Sequence, residues 1–472
     1  MKVDFTKLDR AFNPKCMVIV GDSGENNFNW IRTQSEFKGK LYSVQVNPKS
    51  IEGIKALGIE NYTSLLDIPE PIDLVIIAVP RAVVPKIIED CIRKDVAVVH
   101  VFAAGFSETN TEEGIRLERW LIKRAKEANL HLVGPNCMGI FNPKIGVKQY
   151  KEQYSGISGP VGFISQSGMN ADIFSLEAHL QGMNINKSVS FGNGVVLDST
   201  DYLDYFGHDP EIKGIGMYLE GVRDGRRFFK VLSEVSARKP VVIWKGGRTK
   251  EGSRAIATHT ASLAVSQAIW DAAVKQCGAV GAMKVSELID TLTALLYLSP
   301  VRGDRVAVAG GSGGQSVGMA DVFAEAGLRL PLLTQKSYDE LATFFSLIGG
   351  SYPNPVDTAG TVSRKEIKRI MEILERDANV DNLVLMIHAR SGWRDPEQLQ
   401  IHVNLMVNMR KRTSKPVLAI VHSSSPDEIN DVREVTRTLQ ENGVPAFPSI
   451  ERAAFALRKA LDYYDRRESI GT

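Results

Sequence analysis

The sequence predicts an α/β protein built from three doubly wound units in series, and three observations carry that expectation. Short apolar segments of strand length alternate with amphipathic helical stretches along nearly the whole chain, the pattern of parallel sheets covered by helices. Three times an apolar strand runs into a Gly/Ser turn and then a helix, at Gly21, Ser165 and Gly310. Likeness at this level follows from the fold and does not establish duplication. The length, 472 residues, exceeds what one hydrophobic core organises, so two to four domains are expected.

Composition narrows the class. With 43% hydrophobic, 24% charged and 7% aromatic residues, the chain has the make-up of an ordinary globular protein. Lys and Arg number 57 against 55 Asp and Glu, a formal charge of +2, so no whole-protein field draws it to nucleic acid or to a membrane. The N-terminal stretch lacks an apolar core of signal-peptide length, and no run approaches about 18 apolar residues. A cytoplasmic location is therefore expected. The cysteines, Cys16, Cys91, Cys137 and Cys277, lie far apart, with no C-x-x-C pair and no His at metal-ligand spacing. They read as reduced thiols, with neither a disulfide framework nor a metal site.

In the first unit, residues 1–150, the strand Cys16 to Val20 ends in Gly21, Asp22, Ser23 and Gly24. A second strand, Leu41 to Val46, closes on the turn Asn47, Pro48, and further strands follow at Leu74 to Val79 and Val96 to Phe102. Helices are expected at Val83 to Arg93 and Glu112 to Ala128. There is no G-x-G-x-x-G, and Asn47 and Pro48 stand where a carboxylate would hold the ribose of NAD. That argues against an NAD-linked dehydrogenase. Lys49 after the turn suits a cofactor carrying phosphate near its adenosine, and coenzyme A is the better expectation.

A Tyr, Gly and Ser loop, Gln149 to Gly159, reads as a linker to the second unit, residues 155–298. There the strand Val161 to Ile164 meets Ser165, Gln166, Ser167 and Gly168 ahead of a helix, Met169 to Gln181. A strand, a Ser/Gly turn and a helix N-terminus form an anion-binding arrangement, or simply a capped helix. The strand Gly214 to Leu219 delivers Glu220, which could fix the tautomer of an imidazole or pair with Arg223 or Arg226 at the surface. The strand Val241 to Trp244 then leads into a Gly and basic loop, Lys245 to Arg254, and a small-residue segment presenting His259 between Thr258 and Thr260. Lys245, Arg248 and Lys250, with Gly246 and Gly247, suit the approach of phosphate to backbone and imidazole together. On spacing alone His259 reads either as a phosphoryl carrier or as a hydrogen-bonded surface or core residue.

The third unit, residues 300–472, opens with the strand Val306 to Ala309 and the loop Gly310 to Gly314. Asn354, Pro355, Val356 and Asp357 follow, then strands at Asn382 to Ile387 and Pro416 to Val421, and the amphipathic stretch Ile450 to Tyr464. His388 and His422, at strand ends, read as structural.

The stretch holding Gly247, Arg248, Ser253, Arg254, Ala255, Thr258, His259, Thr260, Ser262, Leu263 and Ala264 resembles the phosphohistidine loop of the nucleoside-diphosphate-forming acyl-CoA synthetases, relatives of the succinyl-CoA synthetase α subunit. Ala261 and Val265 stand where that family carries glycine. V-N-P-K at Val46, A-V-P at Ala78, A-G-F at Ala104 and G-P-N-C-M-G at Gly134 are similar to its CoA-binding domain, with Asp22 replacing a small neutral residue. S-x-S-G at Ser165, Y-L-E-G at Tyr218 and N-P-V-D at Asn354 extend the likeness over nearly the full length.

The resemblance implies a Rossmann-like CoA-binding domain followed by two flavodoxin-like domains. It implies His259 and Glu220 as catalytic residues, and Ser165, Ser167, Gly168, Gly247 and Arg248 as phosphate-binding. Coenzyme A would meet Gly21, Ser23, Gly24, Asn47, Lys49, Val79, Pro80, Asn136 and Cys137. Cys137 would lie near its thiol end, or else serve as a small buried residue. No stretch is left for an ATP-grasp module, so an ATP-grasp β subunit is the expected partner in a hetero-oligomer, carrying ATP or ADP with Mg2+. The implied reaction interconverts acyl-CoA, ADP and phosphate with a small carboxylic acid, ATP and CoA, through an acyl phosphate and a phosphohistidine. The alternative, motivated by Asp22, Ala261 and Val265, is a non-catalytic CoA- or acyl-CoA-binding regulatory or scaffold subunit.

Overall fold

The computed structural model describes residues 3–259, 266–345, 351–358, 364–389, 396–423 and 425–470, with backbone only at 257–259, 364, 396–398 and 470. These residues divide into two compact units, 1–178 with 184–285, and 179–183 with 286–472.

The first unit holds two sheets. One is formed by β1 (Cys16–Val20), β2 (Lys40–Val44), β3 (Glu60–Tyr62), β4 (Leu74–Ile77), β5 (Val98–Val101) and β6 (His131–Val133), in the order β3-β2-β1-β4-β5-β6. Every neighbouring pair is parallel, which is the Rossmann order. Helices cover both faces, so β1 and β4 are unbroken apolar runs and β5, apolar but for His100, is likewise buried along its whole length. Local chemistry starts the helices. Asn47 caps Pro48–Ala56 by accepting from the Lys49 and Ser50 amides, with Pro48 in the first turn where its missing N–H costs nothing. Thr111 caps Glu112–Glu127 by accepting from Gly114.

The other sheet is formed by β7 (Gly139–Phe141), β8 (Val161–Ser165), β9 (Ile185–Ser190), β10 (Gly214–Leu219), β11 (Val241–Lys245) and β12 (Val280–Ala282), in the order β12-β11-β10-β8-β9-β7. Its five parallel strands follow the flavodoxin order, and β7 adds an antiparallel edge against β9. Residues 139–141, ahead of the linker read from the sequence, thus belong to the second sheet. The two sheets share a hydrophobic core. The lead-in helix Phe5–Phe12, capped by Asp4, stacks Phe12 on Tyr205 with ring centres 5.3 Å apart.

The second unit carries β13 (Val306–Ala309), β14 (Asn382–His388), β15 (Val417–His422) and β16 (Ala446–Phe447), parallel and in that order. On the free side of β13 the ladder is reduced to parallel bridges at Arg305–Arg329 and Ala309–Val356. Asn354 fills the gap with its side chain, accepting from the Val308 amide at 3.0 Å and donating to the Val306 carbonyl at 2.7 Å. His388 and His422 face each other edge-on across β14 and β15, ring centres 5.7 Å apart. No helix among the described residues is long and apolar enough to cross a membrane.

His100, in the middle of the first sheet, reports on folding. It is fully buried with Nε2 3.0 Å from the Cys137 carbonyl, and burial lowers its pKa from 6.5 to about 4. The unfolded chain binds this proton below about pH 6.5 and the native state does not, so stability falls as pH drops toward 4. From this site alone, unfolding by urea should need about 2 kcal/mol less at pH 5 than at pH 7. In His100→Gln, which keeps a donor for the carbonyl, that pH dependence should flatten by the same amount.

Candidate active site

The end of β8 makes a tight turn. Ser165, fully buried, donates its hydroxyl to the Ser167 carbonyl at 2.6 Å and accepts from the Ser167 amide at 3.2 Å. Ser167 in turn caps the helix Gly168–Leu180, its Oγ accepting from the Asn170 amide at 3.3 Å. A helix N-terminus fixed in this way presents amide donors and the positive end of the helix dipole above the sheet edge, a setting that favours an anion.

Gln166, between the two serines, ties the turn to its neighbour. Its Oε1 accepts from the amides of Glu220 at 2.8 Å and Gly221 at 3.2 Å. Glu220 is buried at the end of β10, and Tyr218 donates its hydroxyl to Oε1 of that carboxylate at 3.4 Å. The phosphate turn and the carboxylate expected from the sequence therefore stand on adjacent strands, bridged by one amide side chain.

The basic loop differs from the sequence reading in two respects. Lys245 is buried, and its ammonium donates to the Glu220 carbonyl at 2.7 Å and to the Gly246 carbonyl. It lies 5.7 Å from the centre of the Trp270 ring, and burial pushes its pKa down. Its charge is taken up by carbonyls inside the protein. The stretch read as loop to Arg254 becomes helical at Lys250, with the helix Lys250–His259 begun by Thr249, whose hydroxyl accepts from Gly252 at 3.0 Å. The sequence signal was there in Thr249 followed by Glu251, Ala255 and Ile256, with Ile256 closing over Gly247. At Gly247 φ is +68°, and a side chain there would run into Ile256, so glycine is required twice over. Arg248 donates to the Met283 carbonyl at 3.3 Å and contacts its sulfur. An open hollow of about 500 Å³ lies beside Arg248, Lys250, Ser253 and Arg254. His259 ends the described helix; its side chain, that of Thr258 and all of residues 260–265, including Ala261 and Val265, lie outside the described residues.

At the first sheet, Gly21 has φ +91°, and a Cβ there would stand 2.1 Å from Val79, so β1 and β4 close on each other where only glycine fits. Ser23 and Gly24 open a short 3-10 turn. Lys49 is exposed beside the Asn47 cap, and Val79 and Pro80 follow β4. Asp22 is fully buried, its carboxylate accepting from the Ile31 amide at 2.8 Å and the Ser23 amide at 3.2 Å. Burial pushes its pKa up, and these bonds pull it back. The departure seen in the sequence is thus a buried acceptor for two backbone amides.

The turn at Gly134 joins the two sheets' edges. The Asn136 amide donates to Ala103 of the first sheet at 3.0 Å, while the Pro135 carbonyl accepts from Asn193 at 3.0 Å and that of Gly134 from Val195 at 3.1 Å. Gly192 lies so close to the Asn136 carbonyl that a Cβ would stand 2.1 Å from it. Cys137 is buried with its thiol 3.9 Å from the Val101 carbonyl, and burial keeps it protonated. Its neighbour Met138 packs on Gly168, where a Cβ would stand 2.6 Å from its Cγ. The Asn136–Cys137 turn and the Ser165–Gly168 turn are thus one residue apart. Tyr218, Gln166 and Met138 stand inside motifs quoted from the sequence but were given no role there, because only their tertiary contacts reveal one.

A profile described as a CoA binding domain matches residues 19–143, and one described as a succinyl-CoA ligase like flavodoxin domain matches residues 158–295. The chain is 33% identical over 460 residues to the acetate–CoA ligase [ADP-forming] I subunit alpha of Pyrococcus furiosus, covering 95% of this chain and 96% of that one. It is 38% identical over 391 residues to the acetate–CoA ligase [ADP-forming] I of Archaeoglobus fulgidus, covering 82% of this chain and 56% of that longer one. A solved structure of acetyl-coenzyme A synthetase 1 from Ca. Korarchaeum cryptofilum, in complex with phosphate and ADP, superposes with a TM-score of 0.83 at 29% identity over 98% of both chains.

The Asp22 contacts give a direct test. Asp22→Ala leaves the Ile31 and Ser23 amides without these acceptors, and urea unfolding at pH 7 should show a loss of about 1–3 kcal/mol.

Proposed function

The chain belongs to the family of ADP-forming acetate–CoA ligase α subunits, and from that premise we propose how its own residues divide the work. Acyl-CoA, bound along Gly21, Ser23, Gly24, Asn47, Lys49, Val79, Pro80 and Asn136, delivers its acyl group beside Met138 to a phosphate held by Ser165, Ser167 and Gly168. The thioester bond breaks, an acyl phosphate forms and CoA leaves with the thiol proton. An imidazole nitrogen of His259 then attacks phosphorus, the carboxylate departs, and Glu220 holds the proton on the other ring nitrogen. Phosphohistidine passes its phosphoryl group to ADP, regenerating free His259.

We place the nucleotide and its Mg2+ on an ATP-grasp β subunit in a hetero-oligomer, and the work in the cytoplasm, with domains at 1–150, 155–298 and 300–472. Gly247 and Arg248 would shape the approach of the histidine segment to phosphate. The Asn136–Cys137 turn abutting Gly168 through Met138 carries the reading, because it supports an acyl thioester and a phosphate sharing one small volume. Both reactive bonds hydrolyse in water, so holding the anion on amides at a covered sheet edge stabilises it and keeps solvent away. Burial of the Cys137 thiol makes it a packing group beside CoA and no nucleophile.

The test is labelling. With the β subunit, Mg2+ and γ-labelled ATP, the chain should take up phosphate that is stable to base and labile to acid, and His259→Ala should take up none. Label persisting in that variant would overturn the site. CoA binding with no label in the wild-type complex would favour a non-catalytic CoA-binding subunit.

A further inference from the structure

We propose that Tyr218 is a positioning residue for the Glu220 carboxylate, holding it at the orientation in which it receives the imidazole proton. The inference rests on the assignment of Glu220 as the partner of His259. Tyr218 is the last residue but one of β10 and Glu220 follows the strand's end, and their side chains meet there. The phenol donates to Oε1 of Glu220 at 3.4 Å, a long contact of the kind that shortens when a reacting group arrives.

The ring has no freedom to drift. Trp244, its register partner on β11, meets it edge-on with ring centres 4.6 Å apart. Gly246 lies over the pair, where a Cβ would stand 2.7 Å from the Tyr218 oxygen and 3.5 Å from the Glu220 Cγ. Glycine is thus the residue that lets the strand exit pass over both groups.

Burial and the charge of Glu220 push the pKa of Tyr218 up, so it stays an O–H donor throughout the physiological range. It takes up no proton in the reaction. Its contribution is directional: the backbone of Glu220 is fixed by Gln166 and Lys245, and the phenol acts on the carboxylate.

The experiment is a double-mutant cycle in the reconstituted complex, reading the single-turnover rate of His259 phosphorylation with KM for CoA and melting temperature alongside. Tyr218→Phe keeps the ring and its packing, so the melting temperature should hold and KM for CoA should stay within about twofold. The rate should fall about tenfold, the loss of one hydrogen bond to a charged group. In a Glu220→Ala background the same change should cost nothing further. If it again costs about tenfold there, Tyr218 acts independently of Glu220 and the proposal is wrong. An unchanged rate in Tyr218→Phe alone also overturns it, while a slowed Glu220→Ala leaves the parent assignment standing. If Glu220→Ala labels at the wild-type rate, the parent assignment falls and takes this one with it. Should Glu220→Ala not fold, Glu220→Gln replaces it, and the Tyr218→Phe effect in that background should shrink below about threefold.

Discussion

Past the last residue of a parallel strand the backbone loses its ladder partners, and the end of β10 meets that deficit with buried side chains. The Glu220 amide donates to Gln166 and its carbonyl accepts from Lys245. Each unmet group would cost about 1–3 kcal/mol. An ammonium is expensive to bury, and two carbonyls at Lys245 offset that cost. Because these bonds fix peptide atoms, Glu220 stands at a set height over the sheet whatever its carboxylate does. Everything proposed for the site requires that height, since a carboxylate on a mobile loop would lose the entropy of ordering at each turnover.

The second constraint is the close approach of glycines. Gly21 against Val79, Gly192 against the Asn136 carbonyl, Gly168 against Met138 and Gly246 against Tyr218 all sit where a methyl group would collide. They cluster at the carboxyl ends of strands in the first two sheets and let turns from separate sheets touch. Phe12 stacked on Tyr205 in the shared core holds those sheets at the spacing the turns need. The packing of aromatic rings below and the contacts of glycines above are one arrangement seen at two levels.

The strands were legible in the sequence because buried parallel strands are unbroken apolar runs; Gly214–Leu219 and Val306–Ala309 have the limits read from the sequence. What escaped was set by tertiary context. Nothing local marks Gly139–Phe141 as an edge strand, since its partner β9 comes some forty residues later. Lys245 looked like a phosphate ligand because charge shows in a sequence and burial does not. Asp22 looked repulsive for the same reason, because its bond to the Ile31 amide, nine residues on in the helix Asn29–Thr33, is set by tertiary folding. The helix Lys250–His259 was hidden by two glycines just before it, which read as loop and serve as its entry.

Strand order explains why the remaining inferences converge. In an open parallel sheet the crevice lies where successive connections depart to opposite faces. In the first sheet that point is between β1 and β4, where Gly21 and Val79 meet. In the second it is between β8 and β10, where Ser165, Gln166 and Ser167 face Glu220. Gly21, Val79, Ser165, Ser167 and Glu220, named from the motifs, thus stand at the two junctions that topology alone would select, although neither sheet order can be read from the motifs. A helix reaching one crevice cannot cover the strand on its other side, so the crevice stays open to a ligand while the strands that line it stay buried. The turn at Gly134 is bonded to Ala103, just past β5, and to Asn193 and Val195, just past β9, so backbone hydrogen bonds tie together the connections that leave the carboxyl ends of the two sheets.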